Sequence, residues 1–573
     1  MLLFYDFEVF EQDWLVVIKD PINKLRWVIV NNRDELIKFY EEHKDEIWVG
    51  FNSRGYDQYI LKAILLGLDP YELSQFVVKK KRKAWQFSDL FYKKRVYNYD
   101  VFKGKTDNGL KTLEAFMGHN IHESSVSFDI GRKLNAAELA EVIKYCDNDV
   151  DELIEVFNIR IDDFKTHLAM LNEFNLPLKH ISKTTAQLIA VILGSHKKSY
   201  DDEWDIFLPD TLKLSKYKHV ADWFLKNRST ENSYVVNVAG IEHTFADGGL
   251  HGAIRQYQYK VQPDELMILV DVSSMYPSIM LEYDLISRSV TDKARFKHIY
   301  DMNIELKILG DPRRPTYKLI CNTAYGCMGD EFNAMYDPRN RRLVCIYGQL
   351  FQLDLIEKLE PYIKLIQSNT DGILFVIKRK DFEKVDDIVY EWESRTRLNT
   401  EFEYYSRIYQ KDVNNYLAVP VGPLYNEKGK PRWKCKGPYI KKLSILDNDL
   451  PIVNEAMVNF MLKDVAIEDT IYNCDELIKF QKIFKLSDNY DYVVHNGEQL
   501  FNKSYRVFAS TNDNDSYLGK VKDDVGTVEK FANSPDHCFI ENGNIVNTTI
   551  PTILDKEWYV DLTYKRLGQY GVI

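Results

Sequence analysis

MILVDVSSMYPSIM (267–280) decides the reading of this chain. Its apolar, β-prone run ends on Asp271, and a Ser-Ser turn and a short helix follow. Downstream, YIKLIQSNTDGILFVIK (362–378) has two apolar runs flanking Asn-Thr-Asp-Gly, which predicts a β-hairpin with Asp371 at its tip. Between them, Lys318, Asn322 and Tyr325 fall at i, i+4 and i+7, one face of a helix that Gly326 is expected to end. Two aspartates at strand ends suit two hard divalent cations. A lysine and a tyrosine on one helix face suit a triphosphate and a base. Together these are the outline of a nucleotidyl-transfer site. Taken singly each is plainer, because Asp-Gly is a common turn pair and the helix face is ordinarily amphipathic.

Further upstream lies a second set of carboxylates. LLFYDFEVF (2–10) and DWLVVIKD (13–20) read as strands, RDELIKFYEEH (33–43) and YDQYILKAILLGL (56–68) as helices. Asp6 and Glu8 are two apart on a strand and share a face. Asp57 opens a helix, and Tyr145 and Asp149 share a face of the long amphipathic helix over 135–161. If Asp6, Glu8, Asp57 and Asp149 converge at one end of a sheet, they repel unless Mg²⁺ or Mn²⁺ neutralises them. Two such ions about 4 Å apart suit phosphodiester hydrolysis. One of these acids alone is more simply a solvated surface charge.

Composition leaves the class open. The chain has 573 residues, 75 Lys and Arg against 86 Asp and Glu, and a net charge of −11. That length predicts three or four domains, and 45% hydrophobic and 28% charged residues are ordinary for a globular protein. The acidic total excludes a histone-like cationic coat but not localised nucleic-acid contact. Seven scattered cysteines without a CxxC pair fit a reducing compartment. MLLFYDFEVF carries acids in its apolar start, unlike a signal peptide, and no run of about 18 apolar residues predicts a membrane span. Positive charge concentrates in KKKRKAWQFSDLFYKKR (79–95) and NEKGKPRWKCKGPYIKK (426–442), both interleaved with aromatics. The first reads equally as a solvated hairpin or as a phosphate-contacting segment. DPRRPTYK (311–318) adds a basic approach, including Arg314, to the Lys318 face.

The ordered set resembles a family B DNA polymerase with a proofreading 3′–5′ exonuclease, of the phage and virus branch. The exonuclease motifs are matched by Asp6-Phe-Glu8, by Asn52 to Asp57 with Tyr56, and by Tyr145 to Asp149. The polymerase motifs are matched by Asp271 to Ser278, Lys318 to Gly326 and Asn369 to Gly372. The six span residues 6 to 372 in the expected order. FADGGLHGA (245–253) resembles the glycine-rich linker that guides single-stranded DNA, with Gly248 and Gly249 as contacts.

The resemblance implies α/β and α+β domains: a ribonuclease H-like exonuclease (1–165), a linker (166–253), palm (254–290), fingers (291–328), palm again (329–440), and a thumb and C-terminal region (441–573). It implies two Mg²⁺ or Mn²⁺ ions per site. Asp271, Asp371 and the Val272 carbonyl would hold one pair; Asp6, Glu8, Asp57 and Asp149 the other. Tyr276 would pack under the sugar and exclude a 2′-hydroxyl. Lys318 would contact the triphosphate, and Asn322 and Tyr325 would shape the base-pair pocket. Tyr145 would orient a water, and Asn52 and Tyr56 would bind a frayed strand. Lys434, Lys436 and Tyr439 only loosely match the Lys-x-Tyr segment that holds a primer. The implied partners are primer–template DNA, deoxynucleoside triphosphates and replication accessory proteins. A monomer in the cytoplasm of an infected host cell is expected.

Two departures stand out. Asn369 and Gly372 occupy positions where the family usually has aspartate and serine. Asp271 to Lys318 and Tyr325 to Asp371 are 47 and 46 positions apart, without room for the insertions of protein-primed relatives. The expectation is an enzyme that extends ordinary primers without long unwinding. Two rivals are an exonuclease with a weakened polymerase half and a catalytically silent DNA-binding scaffold.

Overall fold

The computed structural model describes residues 1–104, 106–121, 123–522 and 526–572. Contacts divide the chain into two compact units: 1–183 with 443–451 and 475–558, and 184–442 with 452–474 and 559–573.

The first unit opens with a mixed five-stranded sheet in the order β3-β2-β1-β4-β5. β1 (Leu2–Val9) lies antiparallel to β2 (Trp14–Asp20), which pairs with β3 (Leu25–Val30). β1 also lies parallel to β4 (Ile47–Gly50), and β4 to β5 (Tyr97–Asp100). The chain reaches β4 through helix Arg33–His43, the crossover a parallel pair needs. β1 and β2 are buried almost throughout, as strands covered on both faces are. Helix Ala136–Ile159 is started by a capping box of Asn135 and Glu138 and buries Val142, Cys146, Val150, Leu153 and Val156, spaced three and four apart. Residues 166–183, expected in a linker, belong to this unit: helix Ile161–Glu173 continues into a turn whose Ser182 carbonyl accepts from Arg54 Nε at 3.1 Å.

The second unit is built on one ten-stranded antiparallel sheet, ordered β15-β14-β13-β10-β12-β11-β8-β7-β6, with β9 pairing onto β13. Its strands are β6 (Tyr234–Val238), β7 (Ile241–Ala246), β8 (Gly249–Ala253), β9 (Tyr257–Lys260), β10 (Glu265–Val272), β11 (Lys364–Ser368), β12 (Gly372–Lys378), β13 (Thr400–Asp412), β14 (Asn415–Pro420) and β15 (Lys434–Lys436). The expected hairpin is present as β11 and β12. FADGGLHGA (245–253) folds as the end of β7, a turn and β8, and β8 pairs with β11. Helix Pro338–Leu359, buried nearly all round, packs in the core; Trp392 Nε1 donates to its Phe351 carbonyl at 2.9 Å. Two further helices, Lys293–Leu309 and Arg314–Cys327, are joined through Gly310 in the left-handed region (φ 66°). Gly326 does not end the second of them; the helix runs on to Cys327 with right-handed Met328 as its cap.

The expected 441–573 domain is divided. Residues 475–558 form two small antiparallel sheets of the first unit, β16 (Lys482–Lys485), β19 (Ser504–Ala509) and β22 (Cys538–Ile540) in one, β17 (Tyr492–His495), β18 (Glu498–Leu500), β20 (Gly519–Val521) and β21 (Val528–Lys530) in the other. Among the described residues no helix is long and apolar enough to cross a membrane.

Two candidate carboxylate sites

In the first unit, alternation along β1 puts Asp6 and Glu8 on one face, and Asp57 begins the helix that follows β4. Asp57 Oδ1 accepts from the Phe7 N–H at 3.3 Å, which brings it against β1. Asp149 comes from the Ala136–Ile159 helix. Burial and the mutual repulsion of Asp57, Glu8 and Asp149 hold the Asp6 carboxyl well above its usual range. Burial, then Asp149 and Asp57, does the same for Glu8; burial pushes Asp57 up to about 7 and raises Asp149. Asp57, Glu8 and Asp149 thus gather around Asp6.

Lys111, which carries no sequence signal of its own, sits among them. Its Nζ lies 2.5 Å from Asp149 Oδ1 and 3.2 Å from Glu114 Oε2, and 4.5 Å from the centroid of the Tyr145 ring. Tyr145 hydrogen-bonds to Asp149, and burial raises its hydroxyl. Tyr56 donates its hydroxyl to Ser74 at 2.8 Å; exposed Asn52 takes a left-handed backbone (φ 57°).

These donors fit hard divalent cations. One oxygen each of Asp6 and Glu8 and the Cys146 sulfur lie within 4.8 Å of one another. Burial raises the Cys146 thiol, which donates to the Asp6 backbone carbonyl at 3.4 Å, so it acts as a neutral donor. Oxygen ligands drawn together against their own repulsion suit Mg²⁺ or Mn²⁺.

In the second unit, antiparallel pairing sets Asp271 directly opposite Gly372, so Asp271 at the end of β10 meets the 369–372 turn. The Val272 N–H donates to the Asp371 carbonyl at 2.8 Å. A Cβ on Gly372 would stand 3.0 Å from Asp271 Oδ1. Asn369 closes the turn: its N–H donates to the Gly372 carbonyl, and its amide oxygen accepts from the Thr370 N–H, both at 2.8 Å. The missing aspartate thus leaves the turn intact. Ser274, after Asp271, has a left-handed backbone (φ 49°), unusual for a residue other than glycine.

Two further acids belong to this site. Glu401 pairs opposite Asp271 and Glu403 opposite Leu269, on the same face. Lys434 Nζ lies 3.1 Å from Glu403 Oε1 and 4.0 Å from Asp271 Oδ2. Burial pushes Asp271 up to about 6; Lys434 opposes that rise, and Asp371, Glu403 and Glu401 add to it. The alternation in TEFEYYSRIYQ (400–410) was the available signal for both glutamates.

Beside the aspartates, the rings of Tyr276 and Tyr325 lie 4.2 Å apart at 36°. Buried Cys345, on helix Pro338–Leu359, lies against both hydroxyls, and its thiol donates to the Asp247 carbonyl at 3.2 Å. The same helix sends Gln352 Nε2 to the Thr370 carbonyl at 2.5 Å. Lys318 and Asn322 are exposed on one face of helix Arg314–Cys327, with Thr316, Ile320 and Ala324 buried on the other. The Arg314 Nε is buried and makes no hydrogen bond among the described residues. Gly249 (φ 133°) needs to be glycine: a Cβ there would stand 3.2 Å from Thr370 Oγ1. Gly248 opens the same hairpin, which Asp247 ties to Arg342 Nη1 at 3.1 Å. Lys436 is exposed on β15, and the Arg566 guanidinium covers the Tyr439 ring at 4.0 Å.

No family model matches the chain. It is 20% identical over 281 residues to the DNA polymerase alpha catalytic subunit of Xenopus laevis, a match covering 39% of this chain and 18% of that protein. Among solved structures, the family B DNA polymerase of the hyperthermophilic archaeon Pyrobaculum calidifontis matches 100% of this chain and 78% of that one, at 14% identity and a TM-score of 0.42. By motif order and curated similarity together, the chain resembles family B DNA polymerases.

Proposed function

We propose that this chain is a template-directed DNA polymerase that extends a primer 3′ end and proofreads with a 3′–5′ exonuclease, in phage or viral replication in the cytoplasm of an infected cell. One observation carries the reading: Asp271 meets the 369–372 turn across paired strands, beside the Tyr276–Tyr325 pair. The acids along β1 of the mixed sheet support a ribonuclease H-like exonuclease in the first unit. The antiparallel sheet and the 293–327 helix pair support palm and fingers in the second.

Asp271, Asp371 and the Val272 carbonyl would hold Mg²⁺ or Mn²⁺ in one site, and Asp6, Glu8, Asp57 and Asp149 in the other. Bound there, two ions supply neutralisation of the transferring phosphate and an acidified attacking oxygen. Arg314 and Lys318 bind the triphosphate, and Tyr276 stands where a 2′-hydroxyl would clash. The primer 3′ oxygen attacks the α-phosphorus as the bond to pyrophosphate breaks, a reaction served mainly by positioning. In the first unit Tyr145 orients water, and Lys111 holds Asp149 in place.

Asp371→Asn is expected to cut primer extension to below about 1% of wild type while excision persists. Asp6→Ala with Glu8→Ala abolishes excision and spares extension. Loss of both activities in either variant overturns the two-site division.

A further inference from the structure

Residues 79–95 carry eight Lys or Arg against one Asp, and neither carboxylate site uses them. The segment is not a hairpin. It holds two short 3-10 turns, Ala84–Gln86 and Asp89–Lys93. Its aromatics divide by direction. Phe91 is 4% exposed and packs against Tyr59 at 5.2 Å, while Phe87 contacts Phe76 at 5.5 Å and Phe91 at 6.4 Å. These rings, with buried Ala84, fix the segment to the unit's core. Trp85 and Tyr92 point the other way, 61% and 81% exposed, and neither makes a ring contact or side-chain hydrogen bond among the described residues.

The cations divide similarly. Lys79 pairs with Asp129 at 3.1 Å and Lys94 with Glu41 at 3.0 Å. Lys80, Lys81, Lys83 and Lys93 are exposed and make no ion pair among the described residues. Two outward aromatics are therefore anchored from behind and surrounded by uncompensated positive charge.

We propose that this face binds single-stranded DNA outside both carboxylate sites, with Trp85 and Tyr92 stacking on bases and Lys80, Lys81, Lys83 and Lys93 meeting phosphates. Unpaired bases offer the π-faces that a duplex hides within its stack. An acidic polypeptide would satisfy the lysines and leave the rings without a partner. The choice of DNA as the polymer rests on the polymerase reading. Helix Pro70–Val78 leads directly into this face and carries Ser74, the partner of Tyr56, so the face is continuous with the element that supports the excision site.

The test uses the full chain in EDTA, with a short labelled oligothymidylate read by fluorescence anisotropy. Trp85→Ala with Tyr92→Ala weakens binding about tenfold or more. Lys80→Ala, Lys81→Ala and Lys83→Ala together lower the slope of log affinity against log salt by about 2. Both variants keep the wild-type melting temperature, because every altered side chain is exposed. Unchanged affinity in the aromatic variant overturns the proposal, as does equal weakening toward a duplex of the same length. Polyglutamate displacing the oligonucleotide from wild type but not from the lysine variant would give the face to an acidic protein and also overturn it. If the variants show these binding changes while the wild-type chain never extends a primer, this face is sustained and the polymerase reading alone falls.

Discussion

Asp57 shows how much of the first carboxylate site is held against electrostatics. Its carboxyl is buried and raised to about 7, against an ordinary 3.8. The folded state therefore keeps a proton that the unfolded state has released between those two values. Ionising Asp57 costs the fold stability as pH rises through that window, and the cost levels off above about 7. An asparagine in its place is neutral throughout. In EDTA, the stability advantage of Asp57→Asn over wild type should widen by about 3 kcal/mol between about pH 5 and pH 8, measured by urea unfolding. Mg²⁺ should shrink that advantage at the higher pH, where the carboxylates are free to bind it. An advantage independent of both pH and Mg²⁺ would refute the electrostatic account. These acids were legible because alternation on a strand and a four-residue step on a helix each fix a shared face. Lys111 was not: its partner Asp149 lies 38 positions away, and only the folded unit brings them together.

Helix Pro338–Leu359 does the corresponding work at the scale of an element. It touches the second site at three points: Cys345 meets Tyr276 and Tyr325, Gln352 meets Thr370, and Gly348 lies against Tyr276. A Cβ at Gly348 would stand 2.8 Å from Met275 Cε and 3.2 Å from Tyr276 Cε1. The methionine can swing away; the tyrosine ring, packed on Tyr325, cannot easily do so. Gly348→Val should raise the KM for deoxynucleotides about tenfold or more and lower stability by about 1–3 kcal/mol, leaving excision unchanged. Steady-state extension at varied nucleotide concentration reads this. An effect on kcat alone would exclude displacement of Tyr276 as the cause. Sequence pattern found the 364–378 hairpin because each of its strands repeats an apolar run over several residues. It missed β7 and β8, whose short Gly- and His-containing runs carry no clear alternation, and it took Gly326 for a helix end although its backbone stays right-handed.

Over the whole molecule, the chain contributes to its first unit in three stretches, and Arg506 shows what joins the first to the last. It is fully buried, and burial lowers its guanidinium to about 10. Nε donates to Gln481 Oε1 at 3.0 Å, Nη1 to the carbonyls of Glu541 and Gly543 at 3.2 and 2.6 Å, and Nη2 to those of Ala115 and His119 at 2.9 and 2.7 Å. Backbone bonds from Ile121 N–H to Asn542 and from Ile545 N–H to Gly118, both 2.8 Å, close the same seam. The helix secured in this way, Leu110–Met117, carries Lys111 and hence the partner of Asp149. No local pattern announces such a seam, because its halves are nearly 400 positions apart; position alone had assigned 441–573 to a thumb. Arg506→Met keeps the apolar stem but removes the hydrogen bonds to the Gln481 side chain and to four carbonyls, at a cost of about 3–5 kcal/mol. Hydrogen exchange should then accelerate in residues 110–117 and 504–509 before it does in β10 and β12. Excision should fail at a lower temperature than primer extension. If both activities failed at one temperature, with exchange rising equally in the two units, the seam would not be a property of the first unit alone.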